Sequence, residues 1–164
     1  MARHPTGAIR LFDAQFPVYS EFGVNESGLG YCLRLAELNG VGIAQLKRVV
    51  GSAPNGSFRS IHALALGRLF RTDYETLKHR LPDLYCNGAT MYGHRFERRG
   101  MLRIKTAQVC PRCIHENGYL MDIWDIGAAV CCLKHGICLV DQCPSCHVGV
   151  SWARSSISWG QCGH

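Results

Sequence analysis

The chain has 164 residues, 47% of them hydrophobic, enough for one buried core or one domain with a small appended module. Its net charge is +6, with 13 Lys/Arg against 8 Asp/Glu over residues 1–100 and 5 against 4 beyond, so phosphate is a permitted partner that charge alone does not identify. No apolar run nears the roughly 18 residues of a membrane span, and Met1–Pro5 opens no apolar leader, so the expected setting is a reducing cytoplasm with no membrane partner.

Residues 1–25 lack periodicity and read as an extended arm. The first helix is expected from about Ser27 to Asn39, where Leu29, Leu33, Leu35, Ala36 and Leu38 form a broad apolar stripe and Gly40 supplies the stop. A second covers about Ile43–Val50, ending at Gly51, and Ser52–Ser57 is loop chemistry. A third spans about Ser60–Phe70 and a fourth about Asp73–Arg80, with Thr72 and Glu75 spaced as a capping box and Pro82 just beyond the last turn. Four short helices over residues 26–100 predict a compact bundle, and the third and fourth could pair as a helix-turn-helix.

Residues 86–100, rich in Gly, aromatic and Arg, are expected to be a linker or irregular crossing. Met101–Val109 and Ile137–Val140 read as short strands and Gly118–Ala129 as a helix. The expected fold class is small α+β, mainly α: a helical, helix-turn-helix-like region over 26–100, followed by a tandem zinc-finger or zinc-ribbon-like module over 101–164.

That module rests on ten cysteines, which in a reducing compartment favour metal over disulfides. Cys110-Pro-Arg-Cys113 is followed by Cys132-Leu-Lys-His135, and Cys143-Pro-Ser-Cys146 by Cys162-Gly-His164. A two-residue gap lets a tight turn aim two donors at one ion, and a second pair closes the tetrahedron zinc prefers. The chain is therefore expected to hold two Zn2+ ions, one by Cys110, Cys113, Cys132 and His135, the other by Cys143, Cys146, Cys162 and His164. Three alternatives stand beside this set: His147 as the last ligand, Cys131 in place of Cys132, and interleaved pairing of the first and third pairs. A site closed by four protein ligands has no position for a reacting water, so its role is structural.

No His-Glu-x-x-His, Walker loop, Gly-x-Gly-x-x-Gly or carboxylate nuclease set occurs, which argues against an enzyme. Candidate phosphate or partner contacts are Lys47 and Arg48, Arg68 and Arg71, and the dense group Arg95, Arg98, Arg99, Arg103 and Lys105, with Tyr92 and Phe96 interleaved for stacking.

The order and spacing of several motifs carry a resemblance. Glu26-Ser27, Gly30-Tyr31, Leu33-Arg34-Leu35-Ala36 and Asn39-Gly40 lead to Cys110-Pro111-x-Cys113, Gly118-Tyr119 and Trp124. Cys132-x-x-His135-Gly136, Cys143-Pro144-x-Cys146, Trp152 and Cys162-Gly163 complete the run. The chain resembles the TniQ proteins, zinc-containing target-selection subunits of bacterial transposition systems, a family that includes TnsD. Where that family often places two cysteines before the final glycine, Gly160-Gln161 precede a single Cys162 here, so His164 is a substitute ligand. The resemblance implies a short form or core fragment acting as a non-enzymatic adaptor that binds DNA, an AAA+ ATPase of the TnsC type, or both. In CRISPR-associated systems an RNA-guided effector would be a further partner. The alternatives are a stand-alone sequence-specific DNA-binding protein and, more distantly, a thiol oxidoreductase.

Overall fold

A computed structural model describes residues 15–160, 162 and 163. Of the expected arm, only its part from residue 15 falls within them. Ser27 opens the first helix, α1 (Gly28–Leu38), its hydroxyl accepting from the Gly30 amide at 3.0 Å. Tyr31, Cys32, Leu33, Leu35 and Ala36 are all buried, so α1 is covered on most sides and forms the centre of the protein. Helix α2 (Ile43–Val49) adds Ile43 and Leu46, and α3 (Ala63–Phe70), entered through a 3-10 turn at Ser60–His62, adds Leu66, Leu69 and Phe70. Helix α4 (Tyr74–Arg80) contributes Leu77. The lone Gly-x-Gly of α1 is a packing device: a Cβ on Gly28 would stand 2.2 Å from the Arg80 carbonyl, so only glycine lets α1 meet the end of α4.

The cap of α4 departs from the capping box. Asp73, not Thr72, accepts from the Thr76 amide at 2.8 Å, while the Thr72 hydroxyl is taken by the buried phenol of Tyr31. The helix starts one residue later because aspartate caps as well as threonine and Thr72 is used by the core.

Residues 86–100 are not a linker. Strands β1 (Asp83–Leu84), β2 (Ala89–Met91) and β3 (His94–Phe96) form an antiparallel meander, with Leu84 opposite Ala89 and Met91 opposite His94. Tyr92 and Gly93 turn the β2–β3 hairpin, both at positive φ (54° and 75°), as a two-residue type I′ turn requires. Ala89, Met91, Phe96 and Leu102 form a small core behind it.

The C-terminal part is extended chain joined by isolated bridges, Leu102 to Ile126, Thr106 to Ser151 and Val109 to Val140, rather than by the expected strands. Its helix lies earlier than expected. Helix α5 (Pro111–Asn117) begins on Pro111 and stops at Gly118 in the left-handed conformation. Beyond it, the one further helical element among the described residues is a 3-10 turn at Asp122–Asp125. The carbonyls of Trp124, Ile126 and Ala129 are instead held by one side chain, the Gln108 amide, at 2.7–3.0 Å. The protein is thus a small, mainly helical α+β fold with a three-stranded sheet. One hydrophobic core runs from α1–α4 into Ala107, Val109, Leu120, Trp124, Trp152 and Ile157. No helix among the described residues is long and apolar enough to cross a membrane.

A buried polar hub joins the two parts. Asp125 Oδ2 accepts from the Ser27 hydroxyl at 2.7 Å and from Tyr92 at 2.6 Å, so the α1 cap, the hairpin turn and the C-terminal chain meet on one carboxylate. Burial pushes the Asp125 pKa up from 3.8 to about 7, opposed by the two hydroxyls and aided by Asp122. The native state therefore holds this proton more tightly than the unfolded chain. Its contribution to stability is fully present below the unfolded value and is lost as pH rises to about 7, by on the order of a few kcal/mol. Asp125→Asn keeps an acceptor for both hydroxyls but cannot ionise. Melting curves from about pH 4 to about pH 8 should show most of the wild-type slope gone in this variant; an equal slope would remove Asp125 as its source.

Candidate metal centres

Helix α5 supplies half of the first cluster. Cys110 is its cap and Cys113 lies in its first turn, so one helical turn presents both sulfurs on one side. The other half comes from a tight hairpin. There the Cys132 amide donates to the Ile137 carbonyl and the Gly136 amide to the Cys132 carbonyl, both at 2.8 Å. Gly136, at φ 63°, makes the left-handed turn that swings His135 back over Cys132. The three sulfurs and a His135 ring nitrogen lie within 4.8 Å of one another. His135 Nδ1 is 3.3 Å from Cys110, 3.2 Å from Cys113 and 3.5 Å from Cys132. These edges are close to the roughly 3.5 Å that a metal–sulfur bond of about 2.3 Å and a metal–nitrogen bond of about 2.0 Å produce in a tetrahedron.

The donor chemistry fits a cation. Burial and the neighbouring Cys132 and Cys110 sulfurs push the Cys113 thiol up to about 12. Cys132 is drawn down to about 7, with burial opposing and the His135 amide and adjacent thiols lowering it. Three thiols this crowded cannot all ionise alone, and a divalent ion removes that conflict. Outside the cluster, Glu116 Oε1 sits 3.0 Å from His135 Nε2, where a carboxylate orients the ring with Nδ1 toward the sulfurs. Lys134 closes on Glu116 Oε2 at 2.5 Å and, with His135, holds its pKa low. Glu116 carries no spacing signal in the sequence, because its partner lies 19 residues on.

The second cluster repeats the hairpin. Cys143 donates to Val148 at 2.8 Å and His147 to Cys143 at 2.9 Å, with His147 at φ 58° in the place of Gly136. His147 is therefore the turn residue, and its ring is not among the gathered donors, which are Cys143, Cys146 and Cys162. The amides of Cys146 and Ser145 pull the Cys143 thiol down to about 7. His164 lies outside the described residues. The first and second pairs share one cluster, so the grouping is sequential rather than interleaved, and Cys131 is exposed and not among its donors. Both cysteine groups could hold metal ions.

The family model TniQ matches residues 17–139, a span that holds α1–α5 and the whole first cluster. The chain belongs to the TniQ family. That makes it a transposition-related protein. A search of curated proteins finds no match. Glu26-Ser27 and Arg34, which begin the run of residues carrying the resemblance, have a physical role. Ser27 caps α1 and holds Asp125, and Glu26, fully buried, takes two bonds of 2.7 Å from the Arg34 guanidinium.

The basic side chains of this TniQ protein do not form one patch. Lys47 is buried, its ammonium 3.3 Å from the Pro54 carbonyl, and burial lowers its pKa. It is not placed to meet phosphate. Arg95 pairs with Glu97 at 3.4 Å, Arg71 lies over the Tyr19 ring, and Arg48, Arg68 and Arg98 are exposed singly. Tyr92 and Phe96 do not stack outward, because Tyr92 is bonded to Asp125 and Phe96 is core. Arg99, Arg103 and Lys105 instead meet Arg59, which carries no motif signal, along a groove of about 1160 Å³ between the Ser52–Arg59 loop and the Arg99–Thr106 chain. Among the described residues no carboxylate lines it. Arg103 also reaches Asp141 at 3.0 Å, and Arg99 donates to the Tyr85 carbonyl.

Proposed function

We propose that this protein is a non-enzymatic target-selection adaptor of a transposition system. Two structural Zn2+ ions, one on Cys110, Cys113, Cys132 and His135 and one on Cys143, Cys146, Cys162 and His164, shape it. It passes the choice of insertion site to an AAA+ ATPase of the TnsC type, and an RNA-guided effector is a further partner in CRISPR-associated systems. The observation that carries this reading is the family match, whose span ends just past a cluster already closed by four protein donors. Such a site keeps no open position for a substrate and acts by holding shape.

DNA is engaged through its backbone, in the groove formed by Arg59, Arg99, Arg103 and Lys105. Four basic residues lining one groove, with no acid in that lining among the described residues and only Arg103 shared with a neighbouring carboxylate (Asp141), suit phosphate, whereas the first turn of α4 offers Glu75 beside the capping Asp73. That favours the adaptor over a stand-alone reader of base edges built on α3 and α4. A thiol oxidoreductase is disfavoured because Cys110 and Cys113 are buried within the four-donor group rather than presented to a substrate.

The double charge reversal Arg99→Glu with Lys105→Glu should weaken binding to duplex DNA about ten-fold or more. It should also lower the salt slope by about two, and Arg48→Glu should change little. The wild-type chain should co-purify with the ATPase of its own transposon. Undiminished DNA binding in the double variant would discard the groove, and failure to retain the ATPase with and without DNA would discard the adaptor.

A further inference from the structure

Two cysteines that belong to neither cluster stand face to face. Cys131 and Cys138 are antiparallel bridge partners, both exposed and both free thiols. The hydrogen bonds around them run from Cys132 N to Ile137 O at 2.8 Å and from Leu139 N to Val130 O at 3.0 Å. These bracket the pair without passing through it, so it is of the non-hydrogen-bonded kind. In such pairs the Cα atoms approach to about 4.5 Å and the side chains lie closest. That separation lies inside the roughly 4.4–6.8 Å a disulfide spans. The segment enclosed between them carries Cys132 and His135, two of the four donors of the first cluster.

From this register we propose that Cys131 and Cys138 form a reversible thiol–disulfide site that braces the metal-bearing hairpin. The oxidant is a low-molecular-weight disulfide. One protein sulfur attacks it, forming a mixed disulfide and releasing one small thiol. The second protein sulfur then displaces the other small thiol. Two protein S–H bonds are lost and one S–S bond is made, and the small disulfide takes up two electrons and two protons to become two thiols. Cys132 is buried among the donors and is kept from the exchange while metal is held. Cys86 is also exposed, but it lies in the β1–β2 loop and has no bridge partner among the described residues, so it serves as an internal control. Once the loop is closed, Cys132 and His135 stay near the ion when one metal bond opens, which slows its loss. The brace rests on the structural-zinc reading, whereas the bond itself does not.

The test uses the full, metal-loaded chain exposed to oxidised glutathione, digested without reduction and mapped by mass spectrometry. The expected product is one link joining Cys131 to Cys138, lighter by two hydrogens. Either C131S or C138S should abolish the link and leave glutathione on the remaining cysteine. In chelator competition the linked chain should release metal roughly ten-fold more slowly, or slower still, than the reduced chain, and C131S should show no such difference. Glutathione on Cys131 and Cys138 separately, with no link between them, would overturn the site. A link without slower release would overturn the brace, and links through Cys132 with loss of metal would overturn both. A chain isolated without metal would sink the zinc reading and the brace with it, while the mapping would still decide the bond.

Discussion

Serine in place of Cys132 is expected to abolish metal retention at the first cluster and to remove the cooperative melt of the C-terminal chain. The expectation follows from where this cysteine sits. Cys110, Cys113 and Cys132 pack in the same core as Leu120, Trp124 and α1, so the ion would be a structural member of that core rather than an attachment to it. From Arg99 on, the described chain has one short α-helix, two 3-10 turns (Arg99–Met101 and Asp122–Asp125) and isolated bridges. Backbone ladders therefore contribute little there. A structural zinc can supply about 10–16 kcal/mol of apparent binding energy, against a total margin of about 5–15 kcal/mol for a domain. A strong chelator on the wild type should reproduce the effect. Cys146→Ser should cost less, because Cys146 is exposed at the edge. Glu116→Gln should leave the fold intact and weaken metal affinity by about 10–100-fold, through the imidazole it orients. Circular dichroism and metal analysis check all four. A Cys132→Ser chain that melts like the wild type would end the structural-zinc account.

What could be read from sequence follows the range of the forces involved. The starts and stops of α1 to α4 are local, set by caps and glycines next to the residues they control, and the expected spans fall within a few residues of those observed. The grouping of Cys110, Cys113, Cys132 and His135 is legible for the same reason, since two-residue gaps are turns with a known aim. The misread segments are those whose partners are distant. Gly118–Ala129 has a helix-like pattern, but its carbonyls are claimed by Gln108 and its start is bridged to the chain before α1. The hairpin at Ala89–Phe96 turns on Tyr92-Gly93, a weaker signal than Asn-Gly. Arg59 and Glu116 gain meaning only from residues brought to them by the fold. Lys47 shows the reverse case, because the Pro54 carbonyl folds onto it and takes a charge that helix position alone would leave free.

The second large effect is expected at Arg34. Glu26 is fully buried just before the α1 cap, and the Arg34 guanidinium, 15% exposed, meets both of its carboxylate oxygens. Glu26 Oε2 also accepts from the Gly23 amide at 2.8 Å, and Arg34 reaches the Ser20 hydroxyl and the Glu21 carbonyl, so the pair fastens residues 20–23 to α1. Arg34→Met removes the cation and leaves a carboxylate in the core, which should cost about 3–5 kcal/mol. Replacing both partners, Glu26→Met with Arg34→Met, leaves no orphan charge and should recover much of that loss. Recovery should stay incomplete, because the Gly23 amide loses its acceptor and the Glu21 carbonyl its donor. Denaturant melts of the two single variants and the double close the cycle. A single Arg34→Met variant within about 1 kcal/mol of the wild type would show that Glu26 finds another partner, and that the Arg34 charge is not what holds the α1 entry in place.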